Sequence, residues 1–376
     1  MNEAPLNLPA PIPTSSRRTG FGAWMAFAWC LAYMFVMQIL AGLACGGPLI
    51  IGAALLDKRN FNGDAKELMS SSLAQIAIML TLICSHLVGL AFGWFILRWR
   101  VGKSWKRRIA WSRGPAGLHI ALVLIGFPAL MALASFVDPL VSRWVPSLDD
   151  IFKSIGFDFK FGGLDEMLTL FKATPLPLAL LAVAVLPALN EELWCRGFLG
   201  QGLSARYAVW PTVLVTSFLF GFLHMEPRQG TGAAMLGVAI HFAYLATRSW
   251  WVAVALHFAN NGLAVIHLNE KLNFPILKPF EEMAERSLAA ISEGSVPYFL
   301  LGSLALFGSV AFALWQTRCK LETIDPTAVP WKPKTKSGVD LPPADSGVAV
   351  THESLSPISI SLVLAGAVIF GLTTLV

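Results

Sequence analysis

Charge is what this sequence has least of. Only 14% of its 376 residues are Asp, Glu, Lys or Arg, against about 25% in an ordinary soluble domain. With 55% of the chain hydrophobic, there is too little polar sequence to clothe a folded surface in water. The shortage excludes a cytoplasmic globular enzyme, a nucleic-acid-binding domain and a disordered tail protein. It predicts an all-α, polytopic transmembrane bundle. Cysteine is sparse too: Cys30, Cys45, Cys84, Cys195 and Cys319 are far apart and form no CxxC. They read as buried thiols, not as a disulfide framework or a metal knuckle. HExxH, the strong zinc-protease signature, is missing. So is any internal repeat of the kind that marks inverted-repeat transporters.

What the sequence does have is long apolar runs. Stretches free of Asp, Glu, Lys and Arg occur at 19–56, 68–97, 114–137, 173–190, 207–225, 229–247, 249–269, 294–317 and 354–376. A bilayer core about 30 Å thick takes about 20 apolar residues as helix, so the runs predict about eight to nine spans. Gly46-Gly47-Pro48 is expected to split the overlong first run. The fourth run is short, but continues through Glu191, Glu192 and Arg196 to about Ser204.

Orientation follows from the basic loops. Residues 98–113 hold Arg98, Arg100, Lys103, Lys106, Arg107, Arg108 and Arg113 and no acid, which places this loop in the cytoplasm. Arg17, Arg18, Arg206, Arg248, Arg318 and Lys320 then also lie inside, and the acidic loop 270–293 lies outside. The net charge of +5 is read as topology, not as a nucleic-acid footprint. The chain is therefore expected to be a multi-pass protein of the cell membrane, with a cytoplasmic N-terminus.

Residues 1–18 read as a disordered cytoplasmic lead-in, not a signal peptide, and 19–137 as the N-terminal transmembrane helices. Residues 138–172 read as an outer loop with an interfacial amphipathic helix from Phe157 to Phe171. Residues 270–317 hold a second outer loop and a further span. The Pro-, Lys- and Asp-rich stretch 318–353 reads as a solvated linker. Residues 354–376 then form a last, loosely attached span outside the working core.

The informative feature is charge where lipid should be. An ionised group at mid-membrane costs about 2.5–3.5 kcal/mol on insertion scales, and Glu191, Glu192 and Arg196 sit inside an apolar helix. Glu192 and Arg196 are four apart and share a face, so they can pair. Glu191 lies about 100° away, has no partner in its own helix, and is free to act as a general base. Pro187 is expected to kink this helix. Phe220 and His224 are four apart in the fifth run, and His257 and Asn261 four apart in the seventh. Measured from the turn near Tyr207, the glutamates and His224 lie at similar depth. His257 is shallower, and tilt or a kink has to make up several ångströms. A glutamate, two histidines and an asparagine suit hydrolysis: the carboxylate takes a proton from water, a histidine positions the water or protonates the leaving amine, and the amide stabilises an oxyanion. Glu191, His224 and His257 also suit a zinc ion, and the spacing leaves both readings open.

EExxxR at Glu191, Glu192 and Arg196, then FxxxH at Phe220 and His224, then HxxxN at His257 and Asn261, on successive spans, resembles the CPBP family. These are the CAAX-protease and bacteriocin-processing intramembrane peptidases, also called the ABI family. The resemblance covers roughly residues 173–269, which it marks as a catalytic core. It implies Glu191 as the water-activating base, His224 as its partner and His257 with Asn261 as the oxyanion-stabilising pair. It implies a structural or substrate-positioning charge at Arg196. Trp194-Cys195 replaces the family's more usual aliphatic-aromatic pair, a change that bears on pocket shape. The function so implied is an intramembrane endopeptidase, with water in a polar cavity between spans four, five and seven. Its partners would be the lipid bilayer and a peptide or membrane-associated protein substrate, and no nucleic acid. Two other classes fit the same charges: a proton-coupled transporter with Glu191 and His224 as a relay, and a non-catalytic immunity or scaffold protein. His86, His119, His241 and His267 belong to no motif and read as structural.

Overall fold

The computed structural model describes residues 20–56, 71–157, 170, 174–269, 272, 277–328 and 331–375. Residues 1–18, and the amphipathic helix read between Phe157 and Phe171 apart from Phe157 and Leu170, lie outside the described residues. A lipid core offers backbone groups no partners, so apolar sequence crosses it as helix. Seven helices among the described residues are long and apolar enough to do so. They are α1 (Ala23–Leu56), α2 (Ser72–Arg108), α3 (Gly117–Val141), α5 (Leu176–Ser204), α7 (Pro227–Thr247), α8 (Trp250–Leu268) and α10 (Tyr298–Gln316). Two shorter apolar helices, α6 (Val209–Phe222) and α11 (Pro357–Thr373), occupy the two remaining runs. Polar helices α4 (Leu148–Ser154) and α9 (Lys278–Ser292) sit in the connections. Strands β1 (Lys320–Thr323) and β2 (Val348–Thr351) pair antiparallel, Lys320 opposite Thr351. The chain is an all-α, multi-pass membrane protein with one small sheet.

Gly46-Gly47-Pro48 does not split the first run. π-helical turns at Phe35–Leu40 and Gly42–Gly46 precede it, and the Gly47 N–H donates to Gly42 O. The wider ring lets the helix run on into Pro48, which falls in the first turn of the next α-helical piece, where its missing N–H costs little. The same device handles Pro187. A π-helical stretch at Leu180–Val185 leads into Leu186–Glu192, with the Leu186 N–H on Leu181 O, and a second π-helical stretch follows at Leu193–Gly200.

Helix α5 is the hub, packed by α2, α6 and α8 and buried along the whole of Leu193–Ser204. Trp194 stacks on Tyr33 of α1 with ring centroids 4.6 Å apart, and Trp29 and Phe198 complete this aromatic cluster. Tryptophans ring one end of the bundle. Trp111 lies against Trp105, Trp250 and Trp251, Trp29 against Trp99, and Phe242 joins Trp210 to Trp315. Such rings sit at a membrane–water boundary. The basic residues after α2, α5, α7 and α10 gather at this same end.

Residues 318–353 are not a solvated linker. Asp340 Oδ2 accepts from the Lys334 N–H (2.6 Å), the Thr335 N–H (2.9 Å) and Arg108 Nη1 (2.8 Å). The Leu341 N–H donates to Arg107 O at 3.0 Å, and the Lys336 and Ser337 N–H groups donate to Ser204 O at 2.8 and 3.1 Å. Val339 is wholly buried. The segment is a strap over the basic end, tied to the last turns of α2 and α5. Its composition reads as solvated because backbone groups, not apolar side chains, hold most of it down. Nor is α11 loose. It lies along α10, where a Cβ on Gly366 would come 2.6 Å from Ser309 Oγ, and Gln316 Oε1 accepts from the Ser356 N–H and Ser359 Oγ. Asp340→Ala removes one partner of a buried pair and leaves two backbone donors unmatched. It is expected to lower stability by about 3 kcal/mol, read as an earlier thermal transition with faster proteolysis between 320 and 350.

Candidate active site

Two charges of α5, Glu192 and Arg196, pair inside the bundle. Glu192 Oε1 accepts from Arg196 Nη1 at 2.7 Å, as the four-residue spacing predicts, and from His257 Nδ1 at 2.8 Å. Glu192 and Arg196 have no solvent exposure and His257 almost none. Arg196 Nη2 also donates to Gly237 O of α7 at 3.1 Å, and its guanidinium lies 4.6 Å from the centre of the Phe220 ring of α6. One buried cation thus ties α5 to α6 and α7, and one carboxylate ties α5 to α8. His257 does reach Glu192. The π-helical stretch Leu193–Gly200 takes more residues per turn than an α-helix, which shortens α5 between Glu192 and the basic end.

Phe220 is the spacer of the site. Its ring stands edge-on to both His224 and His257, centroids 5.2 and 5.5 Å away. His224 Nδ1 lies 3.0 Å from Phe220 O. A carbonyl only accepts, so Nδ1 carries the proton and Nε2 keeps its lone pair. His257 Nδ1 faces a carboxylate and is likewise the protonated nitrogen. Asn261 Nδ2 donates to Val183 O of α5 at 2.9 Å, and Asn260 Nδ2 to Asn261 Oδ1 at 3.0 Å.

His224, His257, Asn260 and Asn261 share a cavity of about 570 Å³ with Arg228 and Gln229. The rest of its wall is apolar and includes Trp210, Phe242 and Phe307. The walls come from α6 and α8, which are the fifth and seventh runs, and from α3, α7 and α10; α5, the fourth, supplies none of the lining residues. Helix α6 has 14 residues and covers about 21 Å. It starts in the tryptophan ring at Trp210 and is about 9 Å too short for a hydrocarbon layer of ordinary depth. Polar chain fills the space beyond the turn bearing His224. The Leu148 N–H donates to Glu226 Oε1 at 3.4 Å, and Glu226 Oε2 caps α7 through the Gln229 N–H at 2.7 Å.

Glu191 is placed differently from Glu192. It is half-buried, it is not among the residues lining the cavity, and its Oε2 has no partner among the described residues. Its electrostatic neighbours are Tyr33 of α1 and His86 of α2. Asn190 Nδ2 lies 3.2 Å from both His86 Nδ1 and Met37 Sδ. His86, read as structural, therefore belongs to the polar cluster behind the glutamates. The zinc reading does not fit. Among the described residues no three His, Cys, Asp or Glu side chains are placed to share one ion.

Sequence patterns missed His86, Asn190, Asn260 and Arg228. Asn190 and Asn260 do adjoin motif residues, and Arg228 is the one cation between two apolar runs. The hairpin that aims His224 depends on a close helix approach. A Cβ on Gly221 would stand 2.9 Å from Ala234 Cβ, with the Gly230 carbonyl nearer still. Gly221→Ala is expected to push α6 from α7, to cost about 1–3 kcal/mol, and to displace His224 three residues on. Thermal unfolding and catalytic turnover should fall together.

Residues 173–263 match the family model of the type II CAAX prenyl endopeptidase Rce1-like proteins. No curated protein and no solved structure matches the chain. The matched stretch runs from the start of α5 into α8 and carries all three motifs. Through these helices, about a quarter of its length, this multi-pass membrane protein is similar to the CAAX-protease family.

Proposed function

We propose that the chain is an intramembrane endopeptidase that hydrolyses a peptide bond in a peptide or membrane-associated protein, from the cell membrane and with its N-terminus in the cytoplasm. The observation that carries this reading is the Glu192–His257 contact at 2.8 Å, behind a cavity that His224, His257 and Asn261 line together. Glu192 is spent on Arg196 and His257, so Glu191 is the carboxylate with an oxygen to spare. It takes a proton from water as the hydroxyl oxygen attacks the carbonyl carbon. The oxyanion that forms is held by an Asn261 N–H, beside the His257 imidazole that Glu192 orients through Nδ1. The C–N bond then breaks as the proton that Glu191 took from water is passed, through His224 Nε2, to the leaving amine. Glu192 and Arg196 hold the imidazole in place.

Product mass spectrometry on membranes carrying the wild type or Glu191→Gln tests the reading. New peptide termini are expected with the wild type alone. Equal product from both would overturn the assignment of the base. Substrate flux driven by a pH gradient, with no product, would favour the transporter.

A further inference from the structure

The membrane boundary opposite the tryptophan ring holds polar groups that the fold does not use. Helix α10 has 19 residues and covers about 28 Å, close to the depth of a hydrocarbon core. Trp315, near its end, lies in the tryptophan ring, so Tyr298 at its start stands at the other boundary. There a groove of about 140 Å³ opens between α9, the start of α10 and the last residue of α11. Helix α9 packs on α3 and α10, with Ala284, Ser287 and Leu288 buried and Glu281, Glu282 and Glu285 exposed.

Three kinds of donor meet in this groove. Arg286 is its one charged side chain, and it makes no ion pair or hydrogen bond with any described residue. Ser287 beside it is only 6% exposed, yet it lines the groove and its hydroxyl has no partner among the described residues. Ser292 and Ser303 give their hydroxyls to the carbonyl four residues back; Ser287 does not, and a buried hydroxyl left unmatched is costly. The third donor is the N-terminus of α10, which forms one wall at Pro297–Phe299. The Tyr298 and Leu301 N–H groups are spent on Val296 O and Pro297 O. The first-turn N–H of Phe299 has no partner inside the helix, at the end whose dipole favours an anion. A guanidinium, a hydroxyl and a backbone amide together suit a group with several acceptor oxygens. At this depth that group is the phosphate of a lipid, and the apolar wall suits the first methylenes of its chains. Glu282 and Glu285 on the same helix disfavour a headgroup of net negative charge and favour one that also carries an ammonium.

We propose that this groove binds one zwitterionic phospholipid, its phosphate held by Arg286, Ser287 and the start of α10 and its ammonium turned toward the carboxylates of α9. The site stands apart from the catalytic cavity and does not depend on the peptidase reading.

Native mass spectrometry of the full-length protein in neutral detergent, titrated with short-chain lipids, tests this by counting the first bound lipid. The wild type is expected to bind dioctanoyl-phosphatidylethanolamine at least about tenfold more tightly than dioctanoylglycerol, which has the same chains and no phosphate. Arg286→Gln should erase that preference. Ser287→Ala should weaken the phospholipid by about three- to tenfold. Neither should move diglyceride binding or the thermal midpoint, since neither removes a contact made within the described protein. Lys278→Gln takes away a cation of the same helix outside the groove and should change nothing. Equal binding of phospholipid and diglyceride, a preference that survives Arg286→Gln, or an equal loss with Lys278→Gln would each overturn the proposal. Displacement of the lipid by millimolar inorganic phosphate would overturn it in favour of a free-anion site. Tighter binding of dioctanoyl-phosphatidylglycerol than of the ethanolamine lipid would overturn the zwitterionic assignment.

Discussion

Glu191→Gln is expected to slow peptide hydrolysis by about 10²- to 10⁴-fold, the usual contribution of a placed general base. The substitution keeps size and shape and removes only the capacity to take a proton. It should leave the fold alone, because the Glu191 oxygen in question has no partner among the described residues to lose. The rate loss should therefore appear in turnover, with an unchanged thermal midpoint and unchanged insertion. His257→Ala is a weaker probe of the same idea, since it also strips a partner from Glu192. If Glu191→Gln cleaves at the wild-type rate while His224→Ala does not, proton abstraction belongs to His224 Nε2, the other free acceptor of the site.

The second large effect falls on stability. Arg196→Met leaves the Glu192 carboxylate buried with only an imidazole beside it, and Glu192→Gln leaves a buried guanidinium with a backbone carbonyl and an aromatic face. Removing one partner of a buried ion pair costs about 3–5 kcal/mol. Either single variant should unfold well below the wild type in detergent. The double variant Glu192→Gln/Arg196→Met has no orphaned charge and should recover a large part of that loss, because the two sites are directly coupled. It should still be inactive, since His257 then lacks the carboxylate that holds its ring in place. Additive destabilisation in the double variant would show that the pair does not act as a unit.

The helices were legible because lipid imposes one rule on every residue it touches. Each charge-free run carries a helix, and the Glu192–Arg196 contact follows from spacing alone. What could not be read was whatever depends on partners far away in sequence. The choice of Glu192 over Glu191 as the carboxylate that meets His257 is set by the rotation of α5 against α8, and the π-helical turns alter that rotation with no strong local mark. Asp340 looks like one more solvated acid until Lys334, Thr335 and Arg108 are seen around it. The cavity walls on α3 and α10 have no motif, since Leu130 or Phe307 looks the same lining a pocket as facing acyl chains.

The shortness of α6 has a consequence for the surrounding lipid. Its 14 residues fall about 9 Å short of a hydrocarbon layer of ordinary depth, and the polar segment around Val145–Asp150 occupies the gap. On that side a bilayer is expected to thin toward the short helix. This hydrophobic mismatch couples the chemistry to the host membrane. A thin bilayer is expected to leave the cavity mouth more open to water than a thick one.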